Sequence, residues 1–164
     1  MLVKRMEQLF ANKQKHRALS QSMGRVVIHL HGKTKNKSLR NAIEEYGARL
    51  SSKSIKIEEH SDKLSAQDYV AKIESQGDLI LFDENGVQHT SVEFSKEISK
   101  AQLKASDTHL LIGPAEGWEG IERANYQRIS LSRLTMPHEL ASLVLVEQVY
   151  RACEIIRGSS YHKQ

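Results

Sequence analysis

Apolar and polar positions along the chain follow two rhythms. The run RVVIHLH at 25–31 is rich in β-branched residues and predicts a first strand. Leu39, Ile43, Tyr46 and Leu50 recur at helical spacing and predict a helix over 38–50. Ile55 and Ile57 alternate with Lys56 and Glu58 as a short strand, and residues 60–65 are polar and loop-like. A helix over 66–76 turns Tyr69, Val70 and Ile73 inward and closes at Gly77. DLILFD at 78–83 is apolar between polar brackets, as expected of a central parallel strand. Asp83, Glu84, Asn85 and Gly86 are expected to turn the chain. Residues 91–105 read as a helix with Val92, Ile98 and Leu103 among its apolar positions. THLLIG at 108–113 reads as the next buried strand, GPAEGW as a tight turn, 119–126 as a short helix and 128–132 as the last strand. Strands and helices alternate throughout. The fold class is therefore α/β, with a mainly parallel five- or six-stranded sheet and helices on both faces.

The chain closes on one long helix. Pro137 suits a first helical turn, Thr135 is the candidate cap, and Glu139 suits the positive end of the dipole. Gly158 is the expected stop, with Arg157 in the last turn. Between them Leu140, Leu143, Val144, Leu145, Val146, Val149, Ala152, Cys153 and Ile156 are too many for one stripe. The helix is expected to bury one side on its own sheet and the other on a partner subunit. Glu147 and Arg151 stand four apart on one face, either as a half-buried ion pair or with Arg151 turned to an anionic substrate.

Composition narrows the class. At 164 residues the chain is long enough for a real core. One cysteine excludes an intramolecular disulfide and a Cys-rich zinc motif. No apolar run reaches transmembrane length and no secretory signal is visible, so a cytoplasmic setting is expected. The net charge of +4 lies wholly in residues 1–24, where Lys4, Arg5, Lys13, Lys15 and Arg17 face Glu7 alone. Residues 1–23 read as a detachable basic extension, in which Leu2, Met6, Leu9, Phe10 and Lys13 trace helical spacing. It is an RNA-touching helix, an organellar presequence, or a segment ahead of a true start at Met23, the last being favoured. Residues 24–164 form the domain and are electrically neutral, so RNA binding would rest on local patches.

Three loops follow central strands, after Phe82, Ile112 and Leu131, and ligands of open α/β sheets bind beyond such strand ends. No dinucleotide fingerprint, P-loop or nucleophile elbow is present. His29 and His31 share a strand face, but two strand histidines with no evident third ligand do not predict a metal. Thr34, Lys35, Asn36, Lys37 and Arg40 form a basic stretch that reads equally as a phosphate loop or a solvated one.

LTMPHE, LVEQVYRA and RGSSYHK resemble the C-terminal signature of the RlmH family, SPOUT-class methyltransferases acting on N3 of a pseudouridine in large-subunit (23S) ribosomal RNA. The resemblance extends through LLIGPAEG and, more loosely, GRVVIHLHGKT, covering residues 24–164. It implies a SPOUT-type C-terminal trefoil knot, a homodimer, and S-adenosylmethionine held by Phe82, Gly113, Leu131, Ser132, Arg133, Leu134, Thr135 and Met136. It also implies Arg151, Tyr161 and His162 beside the substrate, with Arg151 gripping the nucleotide and the tail closing over it, in one arrangement from the other subunit. His138 is a further candidate, although a histidine beside proline in a first turn is commonly structural. No metal and no membrane are implied. The sequence departs from the family pattern at Pro114, where the glycine turn usually has a second glycine, and at Phe82, where leucine is more usual. Pro114 removes a backbone N–H. With the neutral domain, it favours a competing reading: a non-catalytic ribosome- or RNA-binding module that retains the fold. Cofactor binding separates the two. With the resemblance set aside, a dimeric α/β scaffold with a crevice at three loops is what the residues give.

Overall fold

In the computed structural model, which describes residues 6–8, 12 and 23–162, five strands form one parallel sheet in the order β2-β1-β4-β3-β5. The strands are β1 (Val26–His31), β2 (Lys56–His60), β3 (Gly77–Gln88), β4 (Asp107–Ile112) and β5 (Gln127–Ser130). The helices are α1 (Lys37–Ser51), α2 (Ala66–Ile73), α3 (Ser91–Leu103) and α4 (His138–Arg157). The extension read over residues 1–23 lies almost wholly outside the described residues, as does Lys163.

The sheet is covered on both faces. Ile28, Ile80, Leu110 and Ile129 face α1, α3 and α4, while Leu79, Leu81 and Leu111 face α2 with Trp118. This two-sided burial is why the central strands lack alternation. In α4 the wholly buried residues Leu145, Val146, Val149 and Ala152 lie on the sheet, each large side chain contributing roughly 1.5–3 kcal/mol by leaving water. A second, half-exposed stripe runs through Leu140, Leu143, Val144, Glu147 and Arg151. The helix is thus apolar on its buried face and on one outer flank at its N-terminal half, not all round.

Other details depart from the sequence expectations, each for a local reason. α4 begins at His138 with Pro137 at the cap position and no side-chain cap, so Thr135 does not cap it. The Glu139 carboxylate accepts instead from the backbone N–H groups of Lys35 (2.6 Å) and Asn36 (3.3 Å), at the start of α1. The basic loop's N–H groups, which would suit a phosphate, therefore already hold an internal anion. Asn36 in turn caps α1, and Gly158 ends α4 in the left-handed conformation, as expected. Residues 119–126 contain only a three-residue 3-10 turn, Arg123–Asn125. Gly117 and Gly120 both sit at positive φ, and the remaining segment is too short to nucleate a helix. Leu103 is 73 % exposed because the buried stripe of α3 follows Phe94, Ile98 and Ala101, and Leu103 lies half a turn from Phe94.

β3 does not end at Asp83. Residues 83–86 leave the ladder and the strand then resumes, so that Phe82 and Val87 both pair with Ile129 of β5. Gly86 lies against the β5 backbone, and a Cβ there would stand 2.6 Å from the Ile129 carbonyl carbon. Gly86→Ala should cost about 1–3 kcal/mol by forcing β3 and β5 apart, read as a lower urea midpoint at unchanged slope.

The far end of α4 carries a charge device. The buried Glu154 carboxylate meets Lys53 Nζ at 2.8 Å and Arg157 Nη2 at 2.6 Å. The Lys53 ammonium, then Ser159, with burial opposing and Arg157 adding, hold it at about 2. That is below the roughly 4.3 of a free glutamate. Its ionised form therefore supports the fold above that value, and the contribution fades as pH falls toward about 2. Parent protein should lose stability across this window, whereas Glu154→Gln should show a flatter profile; urea midpoints measured as the pH is lowered check this.

Candidate active site

Beyond the carboxyl ends of β3, β4 and β5 lies a cavity of about 640 Å³, within the range of small-molecule sites. Its walls come from the three loops that the sequence singled out. Phe82 and residues 83–85 form one side, residues 112–118 a second, and Leu131, Ser132, Leu134, Thr135, Met136 and His138 a third. Of the eight residues the resemblance placed at a cofactor, seven line this cavity. Arg133 does not: its Nε donates to Gln88 Oε1 at 3.0 Å, along the extension of β3.

Each wall has a physical support. Gly113 sits so close to Trp118 that a Cβ would lie 2.8 Å from the indole ring. The indole N–H in turn donates to the Phe82 carbonyl at 2.7 Å, tying the β4 turn to β3. Pro114 does not disrupt the turn, because the Gly117 N–H donates to the Pro114 carbonyl at 2.9 Å. The 131–136 segment is folded by hydroxyls: Ser130 Oγ donates to the Ser132 carbonyl (2.9 Å), and Ser132 Oγ accepts from the Leu134 N–H (2.9 Å). This leaves Leu134 77 % exposed at the rim.

The 83–85 wall is fixed by cations. Arg128 Nη1 meets Asp83 Oδ2 at 2.5 Å and its Nη2 donates to the Ile121 carbonyl at 2.8 Å. Arg123 Nη2 donates to the Asn85 carbonyl at 2.7 Å. Burial pushes the Asp83 carboxyl up, but the Asn85 N–H and the Arg128 guanidinium outweigh it and hold the group below the usual carboxylate range. Arg128 Nε, buried in the cavity wall, has no partner among the described residues. Trp118, Arg123 and Arg128 were not found from the sequence. Their roles depend on which loops meet, and no spacing along the chain reports that.

Arg151, Tyr161 and His162 form a separate cluster. Glu147 is its hub. Its carboxylate accepts from Arg151 Nη2 (2.6 Å), the Tyr161 hydroxyl (3.0 Å) and Gln148 Nε2 (2.7 Å). The Arg151 guanidinium lies over the Tyr161 ring at 4.9 Å, and its Nη1 lies 3.5 Å from His162 Nδ1. Tyr46 of α1, which the sequence gave no role here, adds its hydroxyl 3.1 Å from that of Tyr161. The ion-pair reading of Glu147 and Arg151 is therefore correct for the isolated chain. Burial, then Tyr46 and Glu147, push the Tyr161 phenol up, so it stays protonated at neutral pH. The Glu147 hydrogen bond raises Arg151 further above its ordinary value.

The two clusters do not meet within one chain. His138 of the cavity and Arg151 are thirteen residues apart on α4, roughly 20 Å along the helix axis. Glu147→Ala should release the tail without touching the cavity. Losing charge-assisted bonds worth about 1.5–3 kcal/mol should raise amide exchange over residues 159–162 by about tenfold or more, with β3 and β4 unchanged.

Comparison with known proteins agrees with this architecture. The family described as "Predicted SPOUT methyltransferase" matches residues 25–162. A protein of Anaeromyxobacter sp. (strain Fw109-5) named ribosomal RNA large subunit methyltransferase H is 38% identical over 139 residues, 74% of this chain and 88% of that protein. Proteins of the same name from Enterococcus faecalis and Ruminiclostridium cellulolyticum are 38% and 32% identical, covering 80% and 85% of this chain and 95% and 99% of their own lengths. A cavity at the ends of β3, β4 and β5, a parallel sheet with β5 paired to β3, and matches along nearly the whole described chain have one reading: the chain belongs to the SPOUT methyltransferase family.

Proposed function

We propose that this protein methylates N3 of a pseudouridine in large-subunit ribosomal RNA, using S-adenosylmethionine, as a homodimer acting in the cytoplasm on the ribosome. The observation that carries the reading is convergence. Phe82, Gly113, Leu131, Ser132, Leu134, Thr135 and Met136, drawn from three distant parts of the chain, line a single cavity. The residues present fit the cofactor. Gly113 lines the cavity with backbone alone. The 131–136 segment offers peptide groups for an adenine edge, flanked by apolar Leu131 and Met136. Arg128 Nε is a buried donor awaiting a partner. When bound, the cofactor supplies an electrophilic methyl group on a sulfonium sulfur.

The chain's own groups then have defined tasks. The N3 proton of the target base lies between two carbonyls and has to leave before N3 can attack. Arg151, permanently cationic, is suited to hold the nucleotide's negative charge. Tyr161, kept protonated, donates a hydrogen bond and does not act as the base. His138, on the cavity wall, and His162, beside Arg151, are the histidines placed to move a proton. Because cavity and tail are separated on one chain, a second copy packed on the flank of Leu140, Leu143 and Val144 would bring one chain's tail to the other's cavity. Among the described residues no helix is long and apolar enough to cross a membrane.

Calorimetric titration of S-adenosylmethionine tests the cofactor site. Parent protein is expected to bind at one site per chain, and Thr135→Trp, at the exposed rim, to bind at least about tenfold more weakly. Transfer of labelled methyl to ribosomes should then fall about a hundredfold in Arg151→Ala with cofactor affinity unchanged. A folded parent that binds ribosomes but no cofactor would overturn the enzyme reading in favour of an RNA-binding module.

A further inference from the structure

Three adjacent strands gather three imidazoles and a carboxylate that neither the cavity nor the tail uses. The register sets His29 of β1 opposite Glu58 of β2, His31 opposite His60, and Val27 opposite His109 of β4. Glu58, His60, His29 and His109 therefore share the sheet face that α2 covers. His29 Nδ1 lies 2.8 Å from His60 Nε2 and 3.7 Å from Glu58 Oε2. Behind it, His29 Nε2 lies 2.8 Å from His109 Nδ1. One donor atom from each of His29, Glu58 and His60 lies within 4.8 Å of the others. His31 stays outside the group, with its Nε2 2.8 Å from the Leu64 carbonyl.

As plain core this arrangement is poor. His29 and His109 are 1 % and 2 % exposed, and His60 Nδ1 and His109 Nε2 are buried without a partner among the described residues. Each such orphan costs about 1–3 kcal/mol, a cost that aliphatic residues at these positions would not incur. As a ligand set it is coherent. If His29 Nε2–H donates to His109, its Nδ1 lone pair is aimed at His60 and Glu58; a ligand histidine is commonly held from behind in this way.

We propose that His29 Nδ1, His60 Nε2 and the Glu58 carboxylate bind one divalent transition-metal ion, zinc by the nature of the donors, with His109 as the residue positioning His29. Two imidazoles, one carboxylate and a water complete a four-coordinate zinc. With zinc–nitrogen bonds of about 2.0–2.1 Å, tetrahedral ligands stand roughly 3.3 Å apart. The His29–His60 separation of 2.8 Å must therefore widen slightly. His60 sits on the edge strand and is only partly buried, so its ring can move, and the 51 % exposed Glu58 side chain leaves the fourth position to solvent. None of the four residues lines the cavity. The ion would clamp edge strand β2 to β1 and need not enter the reaction.

The test uses the full chain, stripped with a chelator and titrated with zinc by calorimetry, then with cobalt by visible absorption. Expected is one zinc per chain in the parent, with imidazole–carboxylate cobalt bands. Uptake should be lost in His60→Ala and weakened at least about tenfold in Glu58→Gln, with His109→Leu weakened about 10–100-fold. Circular dichroism establishes that each variant is folded; if His60→Ala is not, Glu58→Gln decides, its side chain being half in solvent. No uptake by the folded parent overturns the proposal. So does an affinity unchanged in the folded ligand variants, which would place binding at other surface histidines.

Discussion

The burial of α4 against the sheet is the contact on which the other features depend. Leu145, Val146, Val149 and Ala152 are fully removed from water on the face formed by β1, β3, β4 and β5. This fixes both ends of a helix roughly 30 Å long. Its first turn closes the cavity through His138 and reaches across to α1 through Glu139. Its middle presents Glu147 and Arg151, and its last turn anchors the chain to Lys53. Small side chains here would loosen the cavity wall and the polar tail together, although neither contains the packing residues.

The reach of the sequence follows from which interactions are local. Central strands were legible because burial on both faces leaves continuous apolar runs such as DLILFD and THLLIG. The cavity loops were legible because strand ends in a parallel sheet point the same way. Thr135 failed as a cap, and residues 119–126 failed as a helix, because loop geometry at Pro137, Gly117 and Gly120 overrides propensity. The turn expected at 83–86 exists, but β3 resumes after it because β5 supplies a second pairing for Val87. The histidine cluster was least accessible. His29 and His31 were correctly placed on one face, yet the residues that meet His29 come from β2 and β4. The order β2-β1-β4 is a property of the fold and not of spacing along the chain.

Family membership and the geometry bear on Pro114 in the same direction. A proline in the glycine turn removes one N–H, but the turn keeps its closing hydrogen bond from Gly117, and Gly113 keeps the close approach to Trp118. The cavity wall is therefore rebuilt around the substitution. Trp118, stacked on Tyr69 at 6.1 Å with an interplanar angle of 2°, also joins this wall to the far face of the sheet, where Tyr69 packs edge-on to His60.

The pairing of β5 with β3 has a consequence for the order in which the molecule is made. β3 can find β4 as soon as residue 112 has emerged, but its outer edge stays unpaired until β5 follows, and the strip of sheet between α1 and α3 stays open until α4 packs there. A nascent chain stopped before α4 would leave the part of this face that Leu145, Val146, Val149 and Ala152 cover open to solvent. Such a chain has an uncovered apolar strip, a feature that draws chaperones and favours self-association. Synthesis of the last helix is thus the event that converts this chain from an aggregation-prone intermediate into a finished domain.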